Sequence, residues 1–306
     1  MTHPHLAQAR AIVQAHHHLA LADGAINRLD AALAATTTAS HTSAPPATWA
    51  IHVACLALDF APEDARCIAR AWQHQTERSG YFDPLAWPTE PQDFGLQTRP
   101  STDAFAACPQ RLGVYAVVPD ATWVGRMARA GVPTVQLRLK SQDTTLIAQE
   151  VRAAVAAVQN TSTLLFINDH WQAAIEAGAY GVHLGQEDLQ EADLAAIRAA
   201  GLRLGISSHG YAEMLRAHAC HPSYIAMGAV FATTLKRMLT PPQGAQRLKA
   251  YQQLLRHVPT VAIGGIDLAR LSAVQASGVG SVAVVRALVG AEDPEAAVRA
   301  FLQRGV

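Results

Sequence analysis

The feature that most constrains this chain is a regular alternation of short β-rich runs and longer helical patterns, which begins near residue 110. The runs are rich in apolar and β-branched residues, and the segments between them space their apolar positions as helices do. We predict eight strands: 113–118, 134–139, 163–168, 181–184, 203–206, 224–227, 260–263 and 281–285. Eight βα units in about 195 residues predict an α/β fold of the (β/α)8 barrel type for residues 111–306.

A doubly wound open sheet is the competing architecture for alternating strands and helices. Its dinucleotide-binding form carries Gly-x-Gly-x-x-Gly after a strand. None of the eight runs is followed by this motif, so the sequence favours the barrel.

Residues 1–110 differ from the rest of the chain in composition and pattern, and we expect a mainly helical N-terminal extension there. Ala and Leu dominate residues 7–34, and residues 49–60 and 62–78 read as a helix pair. Five prolines between positions 84 and 109 predict an irregular connector. Residues 35–48 read as a loop.

Composition excludes several classes of protein. The chain has 24 Lys+Arg and 24 Asp+Glu, so it lacks the global charge of a nucleic-acid or membrane-surface binder. Its four cysteines form no Cys-x-x-Cys pair, which argues against a zinc ribbon and a disulfide framework. No apolar run reaches the length of a membrane span, and the first residues lack the pattern of a signal peptide. We expect a cytoplasmic protein with no nucleic-acid or membrane partner.

Polar residues gather where the predicted strands end, which is where barrels carry their chemistry. In the second run, period-two alternation puts Gln136, Arg138 and Lys140 on one side. An inward stripe with two cations is costly unless it meets an anion. The alternative is that this side faces solvent and that the apolar residues between point inward.

Two carboxylates, Asp169 and Asp188, leave the third and fourth strands at the same predicted rim. Hard oxygen ligands on neighbouring strand ends suit Mg²⁺ held jointly with substrate phosphates. The alternative is N-capping, because each residue also precedes a predicted helix. The cations on the second strand shift the balance toward a metal–diphosphate site.

The remaining strand ends predict a second anion site. Hydroxyls and cations occur together in the sixth loop, and a Gly-Gly pair that includes Gly265 follows the seventh strand. Arg286 follows the eighth strand, and the loops after strands seven and eight are the frequent phosphate cradle of this fold. A diphosphate at one end of a pocket and a monophosphate at the other would suit an enzyme that joins two such substrates.

At these residues the sequence strongly resembles thiamine-phosphate synthases, from about Arg111 to Val306. The matching blocks occur in order: Gln-Leu-Arg-Leu-Lys at 136–140, Asn-Asp at 168–169, Gly-Val-His-Leu-Gly-Gln-Glu-Asp at 181–188, Gly-Ile-Ser at 205–207, Thr233 with Lys236, Pro-Gln-Gly at 242–244 and Ala-Ile-Gly-Gly-Ile at 262–266. The resemblance implies a (β/α)8 barrel that joins a pyrimidine diphosphate to a thiazole phosphate, giving thiamine phosphate and pyrophosphate.

The resemblance also implies a role for each matching position. The diphosphate substrate would be held by Gln136, Arg138, Lys140, Asn168 and Lys236. Mg²⁺ would be bound by Asp169 and Asp188. The pyrimidine would contact Ser207. The thiazole phosphate would be bound by Thr233, Thr234, Gly265, Val285 and Arg286. Charge on the leaving group would be stabilised by Arg138, Lys140 and Lys236, in a dissociative reaction that needs no general base for bond formation.

Two positions depart from the family pattern. The family usually reads Pro-Thr-x-Thr-Lys in the sixth loop, whereas this chain has Leu235 in place of a phosphate-binding hydroxyl, and Thr234 is the candidate substitute. Arg286 stands where Ser is common. Two alternatives therefore stay open: a thiazole tautomerase-like isomerase, and a phosphate-binding barrel without catalysis.

The extension lies outside this resemblance. Residues 49–78 faintly resemble the last helix pair of hydroxymethylpyrimidine phosphate kinases, but the Gly-Thr-Gly-Cys anion hole of those kinases has no counterpart. We interpret residues 1–110 as a kinase remnant or a helical accessory element, and we keep a homo-oligomer as an open expectation.

Overall fold

The computed structural model describes residues 4–36, 46–97, 101–233 and 240–305. The chain divides into two compact units. The first consists of Met1–Arg99 with Gly210–Arg216, and the second of Pro100–His209 with Ala217–Val306. The boundary expected near residue 110 stays a prediction, and most of the predicted loop 35–48 lies outside the described residues.

The first unit is built from helices, which confirms the mainly helical N-terminal region predicted from the sequence. The described residues before position 80 form α1 (Pro4–Ala15), α2 (Ala25–Thr36), α3 (Pro46–Ala57) and α4 (Pro62–Ser79). Proline begins α4, and Glu63 and Asp64 follow in its first turn, where a fixed φ and negative charge both favour a helix start.

Aromatic rings form the centre of the first unit. Trp72 is fully buried, and its ring centroid lies 5.5 Å from that of Trp87. Tyr211 belongs to this unit, stacks on Phe94 at 5.2 Å and accepts a hydrogen bond from Trp87 Nε1 at 3.0 Å. Asp64 is buried and accepts a hydrogen bond from the backbone N–H of Ala212 at 2.8 Å. These contacts tie residues 210–216 to the helices of the extension.

Eight parallel strands close into a barrel in sequence order, and the first pairs with the last. They are β1 (Gly113–Val118), β2 (Thr134–Leu137), β3 (Leu164–Asn168), β4 (Gly181–Leu184), β5 (Arg203–Ser208), β6 (Tyr224–Met227), β7 (Thr260–Ile263) and β8 (Ser281–Val284). The predicted (β/α)8 fold is confirmed. β2 ends two residues earlier than predicted and β5 runs two residues further.

One or more helices follow each strand along the chain. They are α5 (Ala121–Arg129), α6 (Thr144–Val158), α7 (Trp171–Ala177), α8 (Leu194–Ala199), α9 (Tyr211–Ala219), α10 (Gly244–Leu254), α11 (Leu271–Gln275), α12 (Arg286–Val289) and α13 (Pro294–Gln303). The helix after β4 begins only at Leu194, because residues 188–190 form a 3-10 turn and Asp193 caps α8. No helix in the described ranges is long and apolar enough to cross a membrane.

Large rings beside glycines fill the barrel interior. Phe166 pairs in register with Gly181, and Tyr224 pairs with Gly205. A Cβ added at either glycine would overlap the neighbouring ring, so these positions exclude any larger residue. Tyr115, Phe166 and Tyr224 thereby pack into one buried cluster.

A histidine pair in the second unit gives the fold a pH dependence. His218 Nε2 lies 3.0 Å from His257 Nε2. Burial, followed by the charges of His257 and His221, lowers the pKa of His218 from 6.5 to about 4. The unfolded chain therefore binds the proton more tightly than the folded chain. The contribution of neutral His218 to the free energy of unfolding is complete above pH 6.5 and is lost as pH decreases toward 4.

We expect His218→Gln to flatten this pH dependence. The amide does not titrate in this range, so the variant should lose less stability between pH 6.5 and pH 4. Screening by solvent reduces the expected difference to roughly 2 kcal/mol. Urea unfolding followed by circular dichroism at several pH values measures the difference. His17→Gln, at an exposed histidine, is the control. Parallel pH curves for wild type and His218→Gln would contradict the assignment.

Candidate active site

The closed parallel barrel brings all eight carboxyl-terminal strand ends to one rim. A cavity of about 360 Å³ opens at the ends of β2 and β3. It is lined by Arg138, Leu139, Lys140, Ser141, Gln142, Asn168, Asp169 and His170. Four residues singled out from the sequence thus share one cavity, with two cations on one side and a carboxylate on the other.

The side chains of this cavity differ in exposure according to their place on the strands. Asn168 is the last residue of β3 and is buried, whereas Lys140 lies beyond β2 and is exposed. Arg138 is half-buried, and its backbone N–H donates to Val118 O at 2.8 Å, which continues the β1–β2 pairing past the end of β2. The barrel framework therefore fixes the start of the cationic segment.

Asp169 and Asp188 come together at this rim. Their carboxyl groups are within hydrogen-bonding reach of each other. Partial burial first, and then the charge of Asp188, raise the pKa of Asp169 to about 6, although Arg138 opposes the shift. Two carboxylates that disfavour each other's charge form a favourable place for a cation.

The capping alternative does not describe these two residues. The N-cap of α7 is His170, which makes no side-chain capping bond, and the N-cap of α8 is Asp193, which accepts from Ala196 N at 2.9 Å. Asp188 instead accepts from the N–H of Gly185 at 3.0 Å.

No group of three or more His, Cys, Asp or Glu side chains suited to a metal occurs within the described ranges. Two carboxylates alone would leave most coordination positions to substrate oxygens and water.

A chain of hydrogen bonds crosses the barrel interior beneath the rim. Gln136 Nε2 donates to Tyr115 Oη at 3.1 Å, and Tyr115 Oη lies 2.7 Å from Tyr224 Oη. Tyr224 Oη lies 2.7 Å from His183 Nδ1, and His183 Nε2 lies 2.8 Å from Ser207 Oγ. Gln136 therefore points into the barrel and not toward solvent, which decides between the two orientations that the sequence left open. The chain links Gln136 to Ser207 through three side chains that the sequence reasoning did not assign.

Burial keeps this chain uncharged near neutral pH. It lowers the pKa of His183 to about 4 and raises the pKa values of Tyr115 and Tyr224 well above their ordinary range. A usable signal for His183 existed in the sequence. It stands two residues after Gly181 on the short strand β4, so alternation places both on the same face.

The predicted monophosphate end lies at β7 and β8, which are neighbours in the barrel. Gly264 and Gly265 have φ of 105° and 63°, and a Cβ at Gly265 would lie 2.5 Å from Ala232 O. Val285 is half-buried at the N-cap of α12, and Arg286 is exposed. The backbone of the seventh loop therefore lies close to that of the sixth loop.

The structure describes part of the sixth loop. Thr233 is half-buried at the end of the described segment. Thr234, Leu235 and Lys236 lie outside the described residues. The predicted roles of these three residues stay predictions of the sequence.

The sequence profile of the thiamine monophosphate synthase family matches residues 114–288. The chain belongs to this family. A thiamine-phosphate synthase of Neisseria gonorrhoeae is 59% identical over 190 residues, which cover 62% of this chain and 93% of that protein. The thiamine-phosphate synthase of Serratia proteamaculans is 50% identical over 202 residues, covering 66% and 95%. The family resemblance inferred from the sequence is confirmed.

A solved structure supports the same assignment. The thiamine phosphate pyrophosphorylase of Pyrococcus furiosus superposes with a TM-score of 0.56 at 27% identity, covering 63% of this chain and 94% of that one. These alignments cover nearly the whole length of each relative, and about a third or more of this chain lies outside them.

We expect Gly265→Ala to be more costly than Gly278→Ala. Both glycines have positive φ, but the nearest atom to a Cβ at Gly278 lies 3.7 Å away, whereas a Cβ at Gly265 meets backbone. The left-handed backbone alone costs an alanine about 1–2 kcal/mol, and the clash adds to this only at Gly265. Free energies of unfolding from urea titrations measure both. Equal costs would show that the seventh and sixth loops are not closely packed.

Proposed function

We propose that this chain joins 4-amino-2-methyl-5-(diphosphooxymethyl)pyrimidine to thiazole phosphate and releases pyrophosphate. The chain is an enzyme of thiamine biosynthesis that forms thiamine phosphate, as its family and relatives indicate. The observation that carries the finer proposal is that a cavity with two cations and a glycine-rich loop lie on one rim. A cavity with two cations and a carboxylate lies at β2 and β3, and a glycine-rich loop lies at β7 and β8.

The diphosphate end is proposed to bind the pyrimidine substrate. Guanidinium and ammonium groups bind phosphate oxygens strongly, and the cavity presents both from one segment. The proposed ligands of the diphosphate are Gln136, Arg138, Lys140, Asn168 and Lys236. The three cations among them, Arg138, Lys140 and Lys236, are the proposed catalytic residues, because they would stabilise the charge that develops on the leaving pyrophosphate.

The paired carboxylates fit a hard divalent cation. Asp169 and Asp188 supply two carboxylate groups close enough to disfavour each other's charge, and a cation between them removes that repulsion. We propose that these two residues hold Mg²⁺. When bound, Mg²⁺ would neutralise charge on the diphosphate and act as a Lewis acid.

The interior hydrogen-bond chain is proposed to orient the pyrimidine. Ser207 is the predicted contact, and His183 sets the position of its hydroxyl from below. Gln186 Nε2 donates to the carbonyl of Ser207 at 2.8 Å, which fixes the backbone as well. A neutral, fully bonded network can hold an aromatic ring in one orientation without adding charge next to a developing cation.

The glycine-rich end is proposed to bind the thiazole phosphate. The backbone at Gly265 and at Val285, the N-cap of α12, would present N–H groups to the phosphate. Arg286 adds a cation. Hydroxyls of Thr233 and Thr234 would complete the contact, and Thr234 would compensate for Leu235.

The proposed reaction breaks one bond before it forms the next. The bond between the pyrimidine methylene carbon and the diphosphate oxygen breaks, and both electrons leave with pyrophosphate. The electron-rich pyrimidine stabilises the resulting cation, and the thiazole nitrogen donates its lone pair to the methylene carbon. The new bond forms without removal of a proton, so this step requires no general base.

A cytoplasmic location and a homo-oligomeric assembly stay predictions of the sequence.

We expect Asp169→Asn and Asp188→Asn each to lower kcat/KM roughly 100-fold or more, because each removes half of the proposed cation site. Coupled measurement of thiamine phosphate and pyrophosphate, with Mg²⁺ and then with a chelator, gives the result. Asp193→Ala is the matched control, because it removes a nearby carboxylate that only caps α8.

Two outcomes would overturn this assignment. Unchanged turnover and unchanged Mg²⁺ dependence in both variants would remove the metal role. Conversion of one thiazole tautomer to another without any pyrimidine substrate, with no thiamine phosphate formed, would favour the isomerase alternative.

A further inference from the structure

We infer that His170 is a positioning residue, which holds the cationic segment Arg138–Lys140 over the proposed diphosphate cavity. This inference rests on the proposed function. Its basis is a hydrogen bond from the His170 ring to the backbone of the neighbouring loop, at a point between the two cations.

The bond joins two loops that build the cavity. His170 Nε2 lies 3.1 Å from Leu139 O. A carbonyl oxygen can only accept, so Nε2 carries the proton and donates. Leu139 stands between Arg138 and Lys140, and all four residues line the same cavity. The ring therefore restrains the cationic segment at its midpoint.

Within the described part of the chain, two anchors flank this segment. The N–H of Arg138 donates to Val118 O at one end. Asp143 caps α6 at the other end, where its side chain accepts from Thr145 N and its own N–H donates to Ser141 Oγ. The His170 bond lies between these two anchors. Removing it would let the segment sample more conformations and would weaken a site that depends on converging charges.

Two hydrogen bonds hold the backbone of His170. Its backbone N–H donates to Asn168 O at 2.8 Å, and its carbonyl accepts from Ala174 N at 3.1 Å. The residue before it, Asp169, has a φ of 64°, which turns the chain sharply at the end of β3. A fixed backbone makes the ring an effective anchor for the loop opposite.

The choice of residue supports this role. His170 occupies the N-cap of α7, where Ser, Thr, Asp or Asn would stabilise the helix, yet it makes no side-chain capping bond. This position of the sequence therefore lacks a stabilising helix cap. The side chain instead reaches across to Leu139, 31 residues earlier in the chain.

The test compares His170→Ala with His170→Gln. The alanine variant loses the bond, and we expect its KM for the pyrimidine diphosphate to rise roughly fivefold to tenfold. Its KM for thiazole phosphate should stay at the wild-type value. Glutamine keeps an N–H donor at a similar reach and should restore most of the pyrimidine affinity. Calorimetric titration with pyrophosphate and Mg²⁺ gives a second readout without turnover.

Thr163→Val is the matched control. Thr163 Oγ1 donates to Val132 O at 2.8 Å and joins the segments that lead into β3 and β2, at the opposite end of the same two strands. It should lower stability without changing either KM. This control separates loss of a structural bond from loss of positioning at the rim.

The outcomes distinguish this inference from the proposed function. If wild type forms no thiamine phosphate, the proposed function fails. If wild type is active and His170→Ala binds both the pyrimidine diphosphate and pyrophosphate as wild type does, the positioning role is wrong. An equal rise of KM for both substrates, or no recovery in His170→Gln, would also overturn it.

Discussion

Closure of the parallel barrel is the constraint on which the rest of the second unit depends. The β1–β8 pairing leaves every strand hydrogen-bonded on both sides, so the carboxyl ends meet at one rim. Closure also demands a filled interior, and the pairing of Phe166 with Gly181 and of Tyr224 with Gly205 meets that demand. Tyr224 also makes a hydrogen bond with His183, so the packing that fills the barrel interior also positions a side chain beneath the site.

The site combines groups of opposite character in a small space. Cations from the β2 loop face carboxylates from the β3 and β4 loops, and the neutral chain through His183 lies inside the barrel below. The charged groups thus lie at the rim, where water and substrate can reach them, while the hydrogen-bond chain inside the barrel is polar but uncharged. This separation avoids the cost of a buried unpaired charge and still fixes the orientation of the groups above.

Much of this could be predicted from local sequence pattern. The barrel followed from eight alternating units, because strand and helix periods are local properties. The strand ends were less exact: β5 continues to Ser208, since Ser207 and Ser208 pair with β6 despite their polarity. The link from Gln136 to Ser207 was not predicted, because it depends on Tyr115 and Tyr224 meeting across the barrel. A contact between residues 109 positions apart leaves no periodic signal in the sequence.

The grouping of Gly210–Arg216 with the first unit bears on how the barrel can be isolated. A fragment limited to residues 101–306 would keep Tyr211 and lose Phe60, Trp87 and Phe94, whose rings surround it. The N–H of Ala212 would lose Asp64 as its acceptor. An aromatic surface newly opened to water at the start of α9 favours self-association. Preparing such a fragment as a dispersed protein would call for a polar replacement at Tyr211.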